Sequence, residues 1–224
     1  MSHGKQFTLY THLGGPNGWK VAMVLEELGL TYESIYLDFQ KGEQKEPRHT
    51  NLNPNGRIPT LIDHHNGDFT IWESDAILLY LVDKYDKESR LTVTDEKAKY
   101  SLIQWLFFQA SGQGPYFGQA FWFMNYHPDK VPSAVERYQK ETLRVFSVLD
   151  GVLAKPESNG WLVGGKPTIA DLSFITWNNA ALNVTVKDYA DVEKEYPAFY
   201  AWHQKLVARE PIKKVLGIQA SLRK

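Results

Sequence analysis

Apolar and polar positions alternate from Phe7 to Thr11, and a different rhythm begins a few residues later. Val21, Val24, Leu25 and Leu28 fall at i, i+3, i+4 and i+7, the spacing of one helix face, and Gly29 stops the repeat. Alternation returns from Tyr32 to Leu37. A charged stretch, Lys41 to Arg48, reads as a short helix or a loop. Ile58 to Ile62 and Phe69 to Trp72 then flank the turn "DHHNGD", whose Asn66-Gly67 pair signals a hairpin. Glu73 to Tyr85 has helical spacing and is apolar nearly all round.

Strand, helix and strand, followed by a hairpin and a helix, describe a mixed four-stranded sheet whose first two strands are parallel. This is the thioredoxin-like plan. From Thr94 onward the strand signals vanish. Ala98 to Phe108, Ala134 to Leu153, Ile169 to Ala181 and Phe199 to Val207 all carry helical patterns, with "KPESNG" and "KDYADVEKEYP" as connections. The expected organisation is α/β plus all-α: a thioredoxin-like domain over 1–88, joined by "DKESRLTVTD" to an all-helical domain over 95–224.

Composition narrows the chemistry. Of 224 residues 43% are hydrophobic and 23% charged, the makeup of an ordinary globular chain. Lysine and arginine total 25 against 26 acidic residues, and no basic block forms a nucleic-acid footprint. No run spans a membrane, and Met1 to Tyr10 lacks the pattern of a secretory signal, so neither a membrane nor nucleic acid is expected as a partner. With Cys 0 there is no disulfide, thiolate metal site or cysteine nucleophile, in keeping with a reducing, cytoplasmic setting. Any thiol chemistry must arrive with a ligand. The one adjacent histidine pair, His64-His65, reads as a solvated turn rather than a metal site, and no metal is expected.

Three segments carry candidate chemistry. "GGPNGWK" (Gly14 to Lys20) opens the first helix but offers no cysteine, serine or tyrosine; it is also no phosphate loop, because Gly18-Trp19-Lys20 lacks the Gly-Lys-Ser/Thr pattern. "NPNGRIPTLID" places Pro59 at the start of a strand. A cis bond there turns the N–H and C=O of Ile58 toward an extended peptide, while a trans proline that begins the strand fits the same stretch. Glu73 and Ser74 open the next helix, where free N–H groups and the serine hydroxyl suit a ligand carboxylate and Glu73 suits an ammonium; an ordinary N-terminal cap explains them equally. "GGKPTIADLSF" differs, because Thr168 and Asp171 have capping-box spacing before an apolar run and belong to folding.

Taken together, "PNGWKVAMVLEELGL", "NPNGRIPTLIDH", "IWESDAILLYLVDKY", "QWLFFQASGQGPYFGQ", "SAVERYQKETLRV" and "WLVGGKPTIADLSF" resemble the glutathione transferase family, in the branch of fungal Ure2p-like and bacterial Nu-class enzymes. The resemblance covers nearly the whole chain. It implies a cis Pro59, with Ile58 pairing its backbone with the cysteinyl residue of glutathione beside Arg57. It further implies Glu73 and Ser74 at the γ-glutamyl end, Gln44 at the glycyl end, and Arg137 reaching across a homodimer.

At the position where most classes of that family place a tyrosine, serine or cysteine, the resemblance puts Asn17. An asparagine cannot take a proton, but its N–H favours a thiolate over a thiol. Nu-class relatives carry a threonine near Gly15, so thiol activation here is expected to rest on Asn17 and backbone amides. Tyr116, Phe117 and Trp122, after the glycines of "ASGQGPYFGQAFWF", are either a kinked helix's packing or the wall of an acceptor pocket between the domains. The implied ligands are glutathione or oxidised glutathione with a small electrophile or disulfide as second substrate. The rival expectation is a glutathione-binding regulator with vestigial activity.

Overall fold

The structure, a computed structural model, describes residues 4–222. Strands β1 (Phe7–Thr11), β2 (Tyr32–Tyr36), β3 (Thr60–Asp63) and β4 (Phe69–Trp72) form one sheet in the order β2-β1-β3-β4. β1 and β2 are parallel, with Phe7 opposite Tyr32. β1–β3 and β3–β4 are antiparallel, with Thr60 opposite both Tyr10 and Trp72. Helix α1 (Pro16–Glu27) makes the crossover that parallel strands require, and α3 (Ser74–Tyr85) follows β4.

Phe7, Leu9 and Leu61 of the sheet, Val21, Val24 and Leu25 of α1, and Ile77, Leu78 and Leu81 of α3 are all wholly buried. These are the positions that the two rhythms of the sequence mark as one face. One glycine decides how closely α1 lies on the sheet. A Cβ at Gly18 would fall 1.8 Å from Thr11 Oγ1, so any side chain there would push the helix off β1.

The chain divides into two compact units. One holds the described residues up to Glu88 together with those from Arg209 onward; the other is Ser89–Ala208. This departs from the expected boundary, since α11 (Glu210–Leu222) packs along α1 instead of joining the helical domain. Its Ile212 and Val215 are buried, and the Arg209 guanidinium forks onto both oxygens of Glu27 at 2.5 and 2.7 Å while Lys214 reaches Glu26 at 2.7 Å.

The unit Ser89–Ala208 contains α4 (Glu96–Phe108), α5 (Gly114–Asn125), α6 (Pro132–Leu153), α7 (Ile169–Ser173), α8 (Ile175–Ala180), α9 (Val192–Glu195) and α10 (Pro197–Val207). The interruption expected near Gly112 and Pro115 is a π-helical turn, Gln109–Gln113, through which α4 passes into α5. Phe146, Phe174, Phe199 and Trp202 fill the core, with the Phe146 and Phe199 rings stacked at 4.1 Å. Asp171 closes the capping box as the sequence predicts. Its Oδ2 accepts from the Thr168 N–H and hydroxyl at 2.9 and 3.0 Å, and its Oδ1 accepts from Leu162 N–H and Trp202 Nε1–H at 3.0 and 2.9 Å.

The hairpin is longer than its Asn66-Gly67 signal suggests. His64–Asn66 forms a 3₁₀ turn because the Asp63 carboxylate caps the His65 N–H at 3.0 Å and also accepts from the Tyr80 and Tyr85 hydroxyls. His64 bridges Thr8 Oγ1 at 2.8 Å and Asp68 Oδ1 at 2.5 Å, which makes it a turn residue. Among the described residues no group of three or more His, Asp or Glu side chains is placed to hold a metal ion.

Candidate functional site

The turn leading into α1 is tied down by its own side chains. Gly14 N–H donates to His12 Nδ1 at 3.1 Å, Gly15 N–H to His12 O at 3.2 Å, and Trp19 Nε1–H to Leu13 O at 3.0 Å. Burial lowers the pKa of His12, against the pull of Asp38, which suits Nδ1 to its role as acceptor. Pro16 sits at the first helical position, where a missing N–H costs nothing, and Asn17 follows it, half-buried. The first turn contains no acidic residue, so the positive end of α1 is not offset by a side chain of its own.

Gly15 faces the second segment. A Cβ there would lie 2.9 Å from Ile58 Cδ1, so the isoleucine methyl fills the space that a residue 15 side chain would claim. The Ile58–Pro59 bond is cis, as the resemblance implies. The β1–β3 ladder ends at Tyr10 and Thr60, which leaves Ile58, half-buried, and exposed Arg57 beyond it. Arg57 O accepts from Asn53 Nδ2 at 2.9 Å.

At the start of α3, Glu73 adopts φ 69° and ψ 112°, a positive φ that a residue with a side chain rarely takes, and its exposed carboxylate stands just before the helix. A conformation of this kind costs on the order of 1–3 kcal/mol and is found where surrounding structure insists on it. Ser74 is buried behind it, and its Oγ accepts from Lys20 Nζ at 3.0 Å.

Lys20 is the site's unforeseen member. It sits on the apolar side of α1, wholly buried, with Nζ 2.9 Å from Asp75 Oδ1. Burial pushes the ammonium pKa down and the Asp75 carboxyl up, while each holds the other charged. An ammonium only donates, so the Ser74 oxygen spends an acceptor position on Lys20 and the serine proton is directed elsewhere. The signal was present in the sequence: Lys20 occupies a core-facing position of an otherwise apolar stripe.

Gln44 lies in the 3₁₀ turn Glu43–Lys45, and its buried Oε1 has no partner. The structure therefore gathers Asn17, Gln44, Arg57, Ile58, Glu73 and Ser74 in one unit, linked by the Gly15–Ile58 and Lys20–Ser74 contacts.

The remaining candidates lie in the helical unit. Arg137 is exposed on α6, Tyr116 is half-buried with its ring 6.4 Å from Tyr138, and Trp122 is 46% exposed. Phe117 points into the core, edge-on to Phe146 at 5.7 Å, so the packing reading holds for that ring and it offers no open face.

Comparison with known proteins identifies the family. Residues 5–83 match the family model "Glutathione S-transferase, N-terminal domain" and residues 115–210 match "Glutathione S-transferase, C-terminal domain". Glutathione S-transferase 1 of Schizosaccharomyces pombe is 53% identical over 214 residues, 91% of this chain and 92% of that one. The glutathione transferase URE2P6 of Phanerochaete chrysosporium, solved in complex with oxidized glutathione, is 59% identical, with a TM-score of 0.94 and 99% of each chain covered. Ure2p5 from the same fungus, cocrystallized with 1-(S-glutathionyl)-2,4-dinitrobenzene, is 52% identical, with a TM-score of 0.90 over 99% of this chain and 97% of that one. With both family models matched in order and the thioredoxin-like sheet in place, the chain belongs to the glutathione S-transferase family and is a glutathione transferase of its Ure2p-like branch.

Proposed function

We propose that glutathione lies along the sheet unit with its three residues on three separate segments. The γ-glutamyl carboxylate takes the Ser74 hydroxyl and the N-terminal N–H groups of α3, and its ammonium takes Glu73. The cysteinyl backbone pairs with Ile58, and Gln44, with Arg57 nearby, receives the glycyl end. The observation that carries this reading is the Lys20–Ser74 bond, because it makes the serine a donor and sets a buried positive charge behind it.

The thiol lies at Asn17. A free thiol has a pKa near ~8.5 and is mostly protonated at neutral pH, while only the thiolate attacks. The Asn17 N–H and the positive end of α1 stabilise the thiolate, so the residue acts as a donor and never as a base. The sulfur then bonds to an electrophilic carbon, whose leaving group departs with its electron pair. Alternatively it bonds to one sulfur of a disulfide, expelling the other as thiolate. The relatives solved with a dinitrobenzene conjugate and with oxidized glutathione support each acceptor class in turn.

Tyr116 and Trp122 are the acceptor contacts in this reading, supported from the core by Phe117. The active form is a cytoplasmic homodimer. Tyr100 and Phe107, 67% and 69% exposed and seven residues apart on α4, supply an apolar face for a second copy, and Arg137 reaches the glutathione of that copy. The regulatory alternative is not favoured, since the relatives above are transferases by name.

Asn17→Ala tests the assignment. Glutathione affinity is expected to stay within about twofold, and turnover near neutral pH to fall about tenfold, the effect of one unit of thiol pKa. The deficit shrinks above the free thiol's pKa. Equal turnover of variant and wild type at every pH overturns the role given to Asn17.

A further inference from the structure

Helix α2 (Pro47–Thr50) is a single turn, yet it carries a wholly buried histidine. The His49 ring lies 5.5 Å from that of Tyr10, and both of its nitrogens are engaged. Nδ1 is 3.0 Å from Gln44 O, and Nε2 is 3.1 Å from Thr60 Oγ1. The direction of each bond follows from which atoms have hydrogens to give. A carbonyl only accepts, so Nδ1 bears the proton. In that tautomer Nε2 is an acceptor, and the Thr60 hydroxyl donates to it.

The Thr60 oxygen in turn accepts from Asn53 Nδ2 at 3.0 Å. The orientation of the Asn53 amide is fixed independently, because its nitrogen also donates to Arg57 O at 2.9 Å and its oxygen accepts from Asn55 N–H at 3.1 Å. The chain of donors therefore runs one way, from Asn53 through Thr60 and His49 to Gln44, with Asn53, His49 and Thr60 all buried. It ties the segment that presents Arg57 and Ile58 to the segment that presents Gln44. A ring donor and a ring acceptor pointing in opposite directions are both needed, and neutral imidazole supplies them in one rigid plane.

We infer that His49 is a positioning residue for the glycyl end of glutathione: through this one-way relay it holds Gln44 in fixed register with Arg57 and Ile58, without touching the ligand. The inference rests on the reading of Gln44 given above. His49 grips the backbone of the same residue whose side-chain Oε1 is buried without a partner in the chain, so the grip bears on the residue with unfilled hydrogen-bonding capacity. A first layer held this way is preorganised, and loosening it weakens only what that layer contacts. The relay is thus assigned to the choice between glutathione and γ-glutamylcysteine, which has the same thiol and γ-glutamyl group but no glycine.

The ratio of kcat/KM for glutathione to that for γ-glutamylcysteine, with one electrophile, tests this. His49→Asn sets an amide N–H where Nδ1 stood and keeps the Gln44 bond. His49→Gln sets an amide oxygen near Nε2, keeping the Thr60 bond and losing that to Gln44. The expected ratio falls about twofold in H49N, which loses the Thr60 bond, and about fivefold in H49Q, the size of one net hydrogen bond, with the change in KM for glutathione rather than in kcat. A role in folding alone lowers both thiols in parallel, and that result, or an unchanged ratio in folded H49Q, overturns the inference.

Gln44→Ala separates the two layers of the argument. If it leaves the ratio unchanged, the reading of Gln44 falls and the inference with it. If it collapses the ratio while H49Q does not, the inference falls alone. Should H49Q not fold, Thr60→Val cuts the relay one step earlier and is expected to lower the ratio about twofold; an unchanged ratio there also overturns it.

Discussion

Two aspartates, Asp171 wholly buried and Asp75 largely so, show how the units of this chain differ. Asp171, in the helical unit, has no cation beside it among the described residues; four N–H and O–H donors from Leu162, Thr168 and Trp202 fill its two oxygens. Burial pushes its carboxyl pKa up while those donors pull it down. Asp75, in the sheet unit, is held by the Lys20 ammonium, which reaches past it to Ser74. The first network closes on itself and fastens three parts of one fold. The second ends on a hydroxyl whose proton is still to be given. The first belongs to the fold alone, and the second is the one proposed above to be completed by the γ-glutamyl carboxylate.

The largest effect that would break this comparison is at Asp171. Asp171→Ala leaves four donors without an acceptor, and a loss of about 3–5 kcal/mol in unfolding free energy is expected by denaturant titration. Any folded fraction should bind glutathione with wild-type affinity. Weaker binding by that fraction would make the closed network functional and erase the distinction.

His203 extends the comparison to pH. Its Nε2 bonds Asn179 Oδ1 at 2.9 Å, and burial pushes its pKa down from 6.5 to about 4. The unfolded chain therefore binds more protons than the folded one between those values, so stability rises with pH across that window and is lost as pH falls through it. The gap corresponds to roughly 3 kcal/mol. Thermal midpoints measured from pH 7 to 4.5 should fall in wild type and fall less in His203→Gln.

Lys20→Met tests the open network. The cation behind Ser74 is removed, and KM for glutathione is expected to rise about tenfold, the scale of one hydrogen bond to a charged group, with kcat little changed. A parallel fall in kcat would show that Lys20 acts on the thiol end instead. The smallest expected effect is at Gly15. Its φ of −80° and ψ of 116° suit any residue, and the only close contact of a new Cβ is the flexible end of Ile58. Gly15→Thr should fold, shift stability by about 1 kcal/mol or less, and raise conjugation on the order of twofold by adding one hydroxyl donor near the sulfur.

Strands β1 to β4 and helices α1 and α3 were legible because each writes its burial pattern into neighbouring residues, period two or period 3.6. The residues proposed to meet glutathione through backbone or helix ends, Ile58 and Ser74, were legible through Pro59 and through the abrupt start of α3. The roles of Lys20, visible only as a charge on an apolar stripe, and of His49 were not. Their roles depend on Ser74, Asp75, Gln44 and Thr60, and the link from Lys20 to Ser74 crosses 54 residues. No local periodicity encodes such pairings. The helix of 210–222 lies in the span read as helical, and what no local pattern showed was that it packs on α1. Its partner α1 lies at the other end of the chain.

That last pairing sets a clock. Glu27 and Arg209 are 182 residues apart, and at about 5 to 20 residues per second the arginine leaves the ribosome roughly ten to forty seconds after its partner. Through that interval α1 has its sheet and α3 but lacks the helix that covers its outer side. The sheet unit is begun before the helical one and finished after it, so a premature stop after Ala208 would spare every helix of the other unit and strip α1 of its cover.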